Sequence, residues 1–205
     1  MMELISEGAE AKIYATALLG NDAIVKRRLP KGYRVRQLDD ALRRQRTKTE
    51  ARALALASLA GVKTPVLLLV DDFDIYMSRV RGTNLNKMLE RGARPRKLNK
   101  MLYDIGAYAG LMHAAGIAHG DYTPANIMIC DGTAYVIDFG LASMTSSVEE
   151  KALDLLLMKR SLSGAAFSSF MAGYRKAYGA SDKTAGRLNA IERRGRYQTR
   201  TLATA

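Results

Sequence analysis

The sequence feature that most constrains this chain is an ordered set of polar residues in its second half. His119-Gly120-Asp121 is followed by Asn126, then by two short apolar runs, and then by Asp138-Phe139-Gly140. The apolar runs flank Asp131-Gly132, a pair typical of a two-residue hairpin turn. Each of these residues in isolation fits an ordinary turn or loop. Their order and spacing together are much more specific.

These residue types are the ones that phosphoryl transfer from ATP requires, namely a carboxylate for the acceptor hydroxyl and amide and carboxylate oxygens for magnesium. Asp121 and Asn126 are five apart, as in the protein-kinase loop H-R-D-x-x-x-x-N, and Asp138 opens a DFG motif in the correct order. We therefore predict ATP and Mg²⁺ as cofactors, with Asp121 catalytic and Asn126 and Asp138 as metal ligands. His119 is expected to pack and hydrogen-bond the loop, and His113 is given no role.

Two upstream residues complete the predicted nucleotide site. Ala23-Ile24-Val25-Lys26 ends a predicted strand, as in kinases, where the lysine reaches the α- and β-phosphates. Glu50 lies deep in a predicted helix and is expected to pair with Lys26. Edge lysines and surface ion pairs are common alternatives, but the order of the elements favours the pairing.

A loop and a linker are predicted to enclose the nucleotide. Gly8-Ala9-Glu10-Ala11 would cover the phosphates with its backbone amides, although it has one glycine where G-x-G-x-x-G has three. Gly8 is expected to allow the closest main-chain approach. Residues 77–80 are predicted to form the hinge, with Met77 and Val80 beside adenine.

Periodicity and turn signals predict a strand-rich beginning and a helical remainder. A long helix is predicted over 38–59, where Gly and Pro are absent, among strands at 4–6, 12–17, 23–27, 66–70 and 75–80. The first three strands are predicted to form an antiparallel meander. After Gly82 we predict helices at 84–91, 98–115, 148–161 and 165–178, and short strands at 127–129 and 134–137. From 181 a helix is expected to be broken by Gly195 and to fray into a mobile end.

Composition favours a folded chain in a reducing compartment. Of its 205 residues, 48% are hydrophobic and 25% are charged, which argues against disorder. The single Cys130 cannot form an internal disulfide, and no Cys/His cluster offers zinc ligands. No secretory leader and no apolar run of about 18 residues is present in the sequence. We therefore expect a soluble, cytoplasmic protein with no membrane contact.

Charge suggests a polyanionic partner. The chain carries 32 Lys and Arg against 20 Asp and Glu, a net charge of +12. Between residues 26 and 48, ten cations face only Asp39 and Asp40, and this one-sidedness is interpreted as a nucleic-acid surface rather than a solvated helix face. Two further basic patches comprise Arg91, Arg94, Arg96, Lys97 and Lys100, and in the tail Lys183, Arg187, Arg193, Arg194, Arg196 and Arg200.

With these residues in place, the chain resembles the small atypical serine/threonine kinases of the KEOPS complex, the PRPK-type family. The features that carry the resemblance are Gly8 to Ala11, the run from Lys26 to Arg34, His119-Gly120-Asp121 in place of HRD, and an arginine-rich end. It covers essentially the whole chain. It implies an α+β, minimal bilobal protein-kinase-like fold: an N-lobe over 1–80 with a five-stranded antiparallel sheet and one long helix, and a truncated, mostly helical C-lobe over 81–205 with a basic tail.

The resemblance also implies function and partners. Members of the family bind magnesium and ATP, autophosphorylate, and act as an ATPase in making the threonylcarbamoyl modification of adenosine 37 in tRNA. They dock onto the threonylcarbamoyl-transferase subunit of KEOPS, and onto a small regulatory subunit through the N-lobe. The basic patches would then contact tRNA.

The chain departs from ordinary kinases in several places. No A-P-E segment follows the DFG motif, so the usual platform for protein substrates is absent and water is a plausible main acceptor. Thr123 occupies the slot where many serine/threonine kinases have a lysine. Asp154 matches a family position expected to brace the catalytic loop, and Ser78 replaces a common hinge glutamate. Arg193 to Arg196 only approximate the usual ending.

Three other functions remain open at this stage. A RIO-type ribosome-assembly kinase would share the core, and a small-molecule kinase of the aminoglycoside or choline type would share the H-G-D loop but is typically longer. An RNA-binding scaffold with a vestigial kinase core would not require the complete set of predicted site residues, Lys26, Glu50, Asp121, Asn126 and Asp138.

Overall fold

The computed structural model of the chain describes residues 2–92 and 95–203, the side chains of 95–97 and 195–203 excepted. Its first 78 residues contain a five-stranded antiparallel sheet crossed by one helix, α1 (Arg36–Leu59). The spatial order of the strands is β1-β2-β3-β5-β4. Their bounds are β1 (Glu3–Glu7), β2 (Ala11–Leu18), β3 (Asn21–Arg28), β4 (Leu67–Val70) and β5 (Asp74–Ser78).

Side chains alternate between the two faces of the central strand β3, and this alternation decides which of them can contact α1. Ala23 and Val25 are fully buried, and Lys26 and Arg28 share the opposite face, because side chains two apart point the same way on a strand. The helix turns a face of small residues toward the sheet, with Ala53 fully buried. Small side chains let the helix axis approach the sheet closely, which brings the polar end of β3 within reach of α1.

The rest of the chain is mainly helical. Three two-residue strands and one hairpin flank the loop that carries His119 to Asn126. Strand β6 (Thr83–Asn84) pairs with β8 (Ile127–Cys130), and β8 forms the hairpin with β9 (Thr133–Val136). Strand β7 (Ile117–Ala118) pairs with β10 (Ser143–Met144). The helices are α2 (Leu85–Glu90), α3 (Pro95–Ala114), α4 (Val148–Ser161), α5 (Gly164–Ala177) and α6 (Ser181–Ala203). None of the helices in the described ranges is long and apolar enough to cross a membrane.

Most predicted elements are present within a few residues, and the exceptions have physical reasons. The fifth strand ends at Ser78 rather than at Val80. The strands β6, β7 and β10 were not predicted, because two-residue strands have no periodicity and form only through non-local pairing. Gly195 was wrongly expected to break the last helix, which continues through it. A helical glycine costs only about 1 kcal/mol relative to alanine. The boundary between lobes at residue 80 stays a prediction.

Two helices of the C-terminal part pack at unusually short range through glycine. A Cβ built on Gly106 of α3 would lie 2.7 Å from the carbonyl carbon of Phe170 on α5. A Cβ built on Gly173 of α5 would lie 2.8 Å from the carbonyl carbon of Tyr103 on α3. The two backbones therefore touch, and neither position has room for a larger residue.

Gly106→Ala is expected to destabilise the fold by about 1–3 kcal/mol, because the added methyl group would have to push two helix backbones apart. The measurement is the free energy of unfolding in denaturant. Gly186→Ala is the matched control, since nothing lies within 4 Å of a Cβ at that helical glycine. The control should gain about 0.5–1 kcal/mol. Equal effects at the two positions would contradict the packing argument.

Candidate active site

The predicted catalytic loop lies between β7 and β8 and closes on itself through Asp121 and Asn126. The Asn126 Nδ2 donates to the Asp121 Oδ2 at 2.8 Å and to the Asp121 carbonyl at 2.9 Å. A 3₁₀ turn over Pro124–Asn126 makes this five-residue separation a contact. Because both donors of the amide point at Asp121, the Asn126 Oδ1 remains as an acceptor on the other side.

The DFG motif follows β9 and is fixed beside that loop. The Ile137 N–H donates to the Asn126 carbonyl at 2.9 Å, which ties the two motifs together. Asp138 has a left-handed φ of +59°, a conformation that aspartate tolerates better than most residues. Phe139 is buried against the His119 ring, with centroids 4.9 Å apart. The buried ring of Phe139 therefore fixes the position of the exposed Asp138.

Lys26 joins three parts of the chain. Its Nζ lies 2.6 Å from the Glu50 Oε1 and 2.6 Å from the Asp138 Oδ1. Burial alone would lower the pKa of Lys26, but the two carboxylates raise it above its ordinary value. Partial desolvation would likewise raise the pKa of Asp138, and the ammonium of Lys26 outweighs it and lowers that pKa. The lysine and Asp138 are therefore both charged at neutral pH.

Two adjoining cavities meet at Lys26 and Asp138. The first, of about 530 Å³, has an apolar lining that includes Ile24, Met77 and Val80 and suits a planar aromatic group. The second, of about 430 Å³, is the more polar of the two because its lining carries several charged side chains, and it suits phosphates. It is formed by the loop over 8–11 together with Lys26, Arg28, Arg46, Asp121, Asp138 and Gly140, among others. The structure thus places every sequence-predicted site residue on one or both cavities.

The phosphate-covering loop is closed by its own hydrogen bonds and by contacts from other segments. The Gly8 N–H donates to the Ala11 carbonyl at 2.9 Å, so this amide closes the turn and is not free for a ligand. The Ala9 carbonyl accepts a hydrogen bond from Lys31, and the Glu10 carboxylate pairs with Arg46 at 2.6 Å. The loop is therefore held by side chains from beyond β3.

At the predicted hinge, Ser78 is hydrogen-bonded to the backbone of Val66. The Ser78 Oγ accepts a hydrogen bond from the Val66 N–H at 2.8 Å, and the Ser78 N–H donates to the Val66 carbonyl at 2.9 Å. The serine that replaces a hinge glutamate therefore stabilises the end of the sheet.

Asp154 of α4 braces the catalytic loop from below, as the resemblance implied. Its carboxylate accepts the backbone N–H of His119 at 2.7 Å and that of Gly120 at 2.8 Å. The His113 Nε2 lies 3.2 Å from the same carboxylate, and its Nδ1 lies 2.9 Å from the Tyr174 hydroxyl. His113, which was given no role, is thus a buried link between the brace and α5.

His119 provides a test of how burial affects pH stability. Desolvation lowers the pKa of His119 below 6.5, despite the opposing influence of Asp154, Asp138 and Asp121. As the pH falls through about 6.5, the unfolded chain takes up a proton that the folded chain does not. The free energy of unfolding should therefore fall between pH 7 and pH 5, by up to about 1.4 kcal/mol per pH unit from this residue. Denaturant unfolding across this range should show a shallower slope for His119→Gln. An unchanged slope would contradict the assignment.

The basic surface predicted over residues 26–48 is largely neutralised in the fold. Seven of the ten cations lie within 4.0 Å of a carboxylate in the described part of the chain, and Lys31, Arg36 and Lys48 do not. The pairs join Arg27 with Asp74, Arg28 with Glu50, Arg34 and Arg43 with Asp39, Arg44 with Asp72, and Arg46 with Glu10. Some of these carboxylates lie within or next to the run, and others come from distant segments of the chain. Binding of nucleic acid by this surface stays a prediction.

Parts of the other two basic patches lie outside the described residues. Arg94 is not described, and neither are the side chains of Arg96, Lys97, Arg196 and Arg200. In the described part, Arg187 pairs with Glu149. The tail patch therefore retains Lys183, Arg193 and Arg194 as described cations.

Arg28 is the site residue that the sequence analysis missed. Its Nη2 lies 2.5 Å from the Glu50 Oε2, and its side chain is only 5% exposed. The available signal was its position two residues after Lys26 on a strand, which places both side chains on one face. The neighbouring Arg27 points to the other face and pairs with Asp74.

Comparison with known proteins places this site in a family. A model of the RIO domain matches residues 9–162. The KEOPS complex subunit Bud32 of Pyrococcus abyssi is 36% identical over 99% of this chain and 100% of its own length. A probable serine/threonine-protein kinase BUD32 homolog of Archaeoglobus fulgidus is 36% identical over 94% of this chain and 95% of its own.

Other matches are to longer proteins or to the fold alone. The probable bifunctional tRNA threonylcarbamoyladenosine biosynthesis protein of Methanothermobacter thermautotrophicus is 38% identical over 95% of this chain, which spans only 36% of that protein's length. Two solved structures share the fold. WaaP in complex with acyl carrier protein has a TM-score of 0.68 at 18% identity, covering 96% of this chain and 88% of its own. The Rio2 kinase of Chaetomium thermophilum, with ADP, Mg²⁺ and phosphoaspartate, has a TM-score of 0.65 at 16% identity, covering 96% and 72%.

Proposed function

The chain belongs to the RIO domain family of atypical kinases, and on that premise we propose that it is an ATP-dependent kinase and ATPase. The observation that carries the proposal is the contact of Lys26 with both Glu50 and Asp138, next to the bonded pair Asp121 and Asn126. A cation for phosphates, a carboxylate for the acceptor and oxygen ligands for a metal then line one cleft.

The donor set suits magnesium. Asn126 presents its amide oxygen away from Asp121, and Asp138 brings a carboxylate, and Mg²⁺ prefers oxygen ligands. These two residues would hold the metal, which when bound neutralises charge on the phosphates. Lys26 would then bind the α- and β-phosphates while Glu50 orients it. Asp121 would orient the acceptor and take its proton as the bond to the terminal phosphorus forms and the bond to ADP breaks.

Water is the acceptor that the surroundings of Asp121 favour. Only residues 141–147 separate the DFG motif from α4, and within them Ser143 and Met144 pair with β7. This segment leaves little surface on which to align a protein substrate. ATP hydrolysis to ADP and phosphate is therefore the proposed main output, with autophosphorylation as a side reaction.

A KEOPS-like complex is the proposed setting. Bud32 of Pyrococcus abyssi, named as a KEOPS complex subunit, matches this chain along its whole length, and the longer relatives are named for tRNA threonylcarbamoyladenosine biosynthesis. We propose that the chain supports this modification of tRNA beside a threonylcarbamoyl-transferase subunit, with a small regulatory subunit on the N-lobe. Contacts to tRNA would come from the basic residues of the tail more than from the neutralised run over 26–48. A cytoplasmic location stays a prediction.

The test is release of inorganic phosphate from Mg-ATP by the purified chain, with and without a threonylcarbamoyl-transferase partner and tRNA. Turnover should rise when partner and tRNA are both present, and the tRNA effect should weaken steeply with salt, because phosphate contacts release counterions. Turnover indifferent to tRNA would favour a ribosome-assembly or small-molecule kinase. Complete absence of turnover would favour an RNA-binding scaffold.

A further inference from the structure

We propose that Arg28 is a positioning residue of the active site, which fixes Glu50 and so keeps Lys26 ready for phosphate. The inference rests on the proposed function, because it assumes that Lys26 binds nucleotide. It adds a second cation to the pairing of Lys26 with Glu50.

The two oxygens of Glu50 are each bound by a different cation. The Lys26 Nζ lies 2.6 Å from Oε1, and the Arg28 Nη2 lies 2.5 Å from Oε2. Only 2% of the Glu50 side chain is exposed. A carboxylate buried to this extent is strongly destabilising without a paired charge. Arg28 supplies that charge independently of Lys26.

This second partner becomes important when nucleotide arrives. Lys26 is shared between Glu50 and Asp138, and it must turn some of its hydrogen-bonding capacity toward phosphate. With magnesium held by Asp138, the ammonium of Lys26 would still have to serve Glu50 as well as the phosphate if Arg28 were absent. Arg28 gives Glu50 a charged partner of its own, so that Glu50 stays paired while Lys26 turns toward phosphate.

Arg28 is itself held rigidly. Its backbone N–H donates to the Phe73 carbonyl at 2.9 Å, and its carbonyl accepts from the Arg43 side chain of α1 at 3.3 Å. Its Nε is buried with no partner within the described residues, an energetic cost that a residue serving only the packing would not need to carry. The residue also lines the polar cavity that contains Asp121 and Asp138.

Several ion pairs join helix α1 to the sheet and to the phosphate-covering loop. Arg28 and Lys26 both reach Glu50 from β3, and Arg46, one turn earlier on α1, ties the helix to the loop at Glu10. The short segment after the DFG motif also contacts α1, through β10. Arg28 adds a contact to α1 from the sheet side, at the carboxylate that pairs with Lys26.

The experiment measures the affinity of Mg-ADP by isothermal titration calorimetry. Arg28→Met should weaken binding by about tenfold, as expected for loss of a hydrogen bond to a charged group. Arg28→Gln should weaken it in the same direction and serves if Arg28→Met does not fold. Arg28→Lys should restore most of the affinity. The control is Arg27→Met, which removes the adjacent cation on the opposite face of β3 and should change affinity by less than about twofold.

A double-mutant cycle separates positioning from general packing. In a Glu50→Gln background, Arg28→Met should weaken binding by less than about twofold, because its partner is already gone. A full tenfold loss in that background, or wild-type affinity in both neutral variants, would overturn the role of Arg28. Failure of the wild-type chain to bind Mg-ADP would overturn the proposed function itself.

Discussion

Asp138→Asn is expected to lower ATP turnover by about a hundredfold or more, measured as phosphate release at saturating Mg-ATP. The substitution keeps the size of the side chain and suits the left-handed backbone at φ +59°, but it removes the negative charge. That charge pairs with Lys26 at 2.6 Å and is proposed to bind magnesium. The loss should therefore appear in chemistry and not in folding.

The matched control is Asp131→Asn. Asp131 also has a left-handed backbone, with φ +49°, but it lies exposed in the turn between β8 and β9, away from both cavities. Its replacement should leave turnover within about twofold of the wild type. Undiminished turnover in Asp138→Asn, with contaminating ATPases excluded, would remove Asp138 from the site.

Asp154→Ala should have the largest effect on stability, a loss of about 3 kcal/mol or more. The carboxylate is 1% exposed and accepts the backbone N–H groups of His119 and Gly120, so its removal leaves buried donors without partners. The Nε2 of His113 would lose its carboxylate partner as well. Denaturant unfolding measures the stability, and phosphate release from the folded fraction measures the disturbance of Asp121.

An exposed aspartate supplies the comparison for Asp154. Asp182→Asn changes an exposed residue in the first turn of α6 and should shift the free energy of unfolding by no more than about 0.5 kcal/mol. Similar losses for the two substitutions would show that Asp154 does not brace the loop. A large loss of turnover in folded Asp154→Ala would show that Asp154 supports catalysis as well as stability.

The family and the kinase-like fold inferred from sequence are confirmed by the RIO domain match, the Bud32 relatives and the structural neighbours. The motif residues lie together because the loop that carries them is short. Asn126 lies only five residues after Asp121, and the 3₁₀ turn between them brings the two side chains into contact. The roles of the site residues remain predictions for the experiments above.

The hydrogen bond of Gly8 shows what the motif left undetermined. One glycine at a loop predicts close main-chain approach, but the amide is consumed by the Ala11 carbonyl in the turn itself. A motif shows which residue can adopt a conformation, and it does not show where that residue's hydrogen bonds go. The contacts that Lys31 and Arg46 make with the loop come from segments more than 20 residues away.

By itself the sequence determined most of the longer elements, the catalytic motifs and the family, because periodicity, turn residues and fixed spacings act over short distances along the chain. Only the tertiary structure decided how the charges are partnered. Arg28 meets Glu50 across 22 residues, Lys26 meets Asp138 across 112, and His113 meets Asp154 across 41. Many carboxylates in a sequence have the same chemistry, so the sequence does not show which of them a given cation will contact. The packing of the sheet against α1 and of α3 against α5 decides the partner.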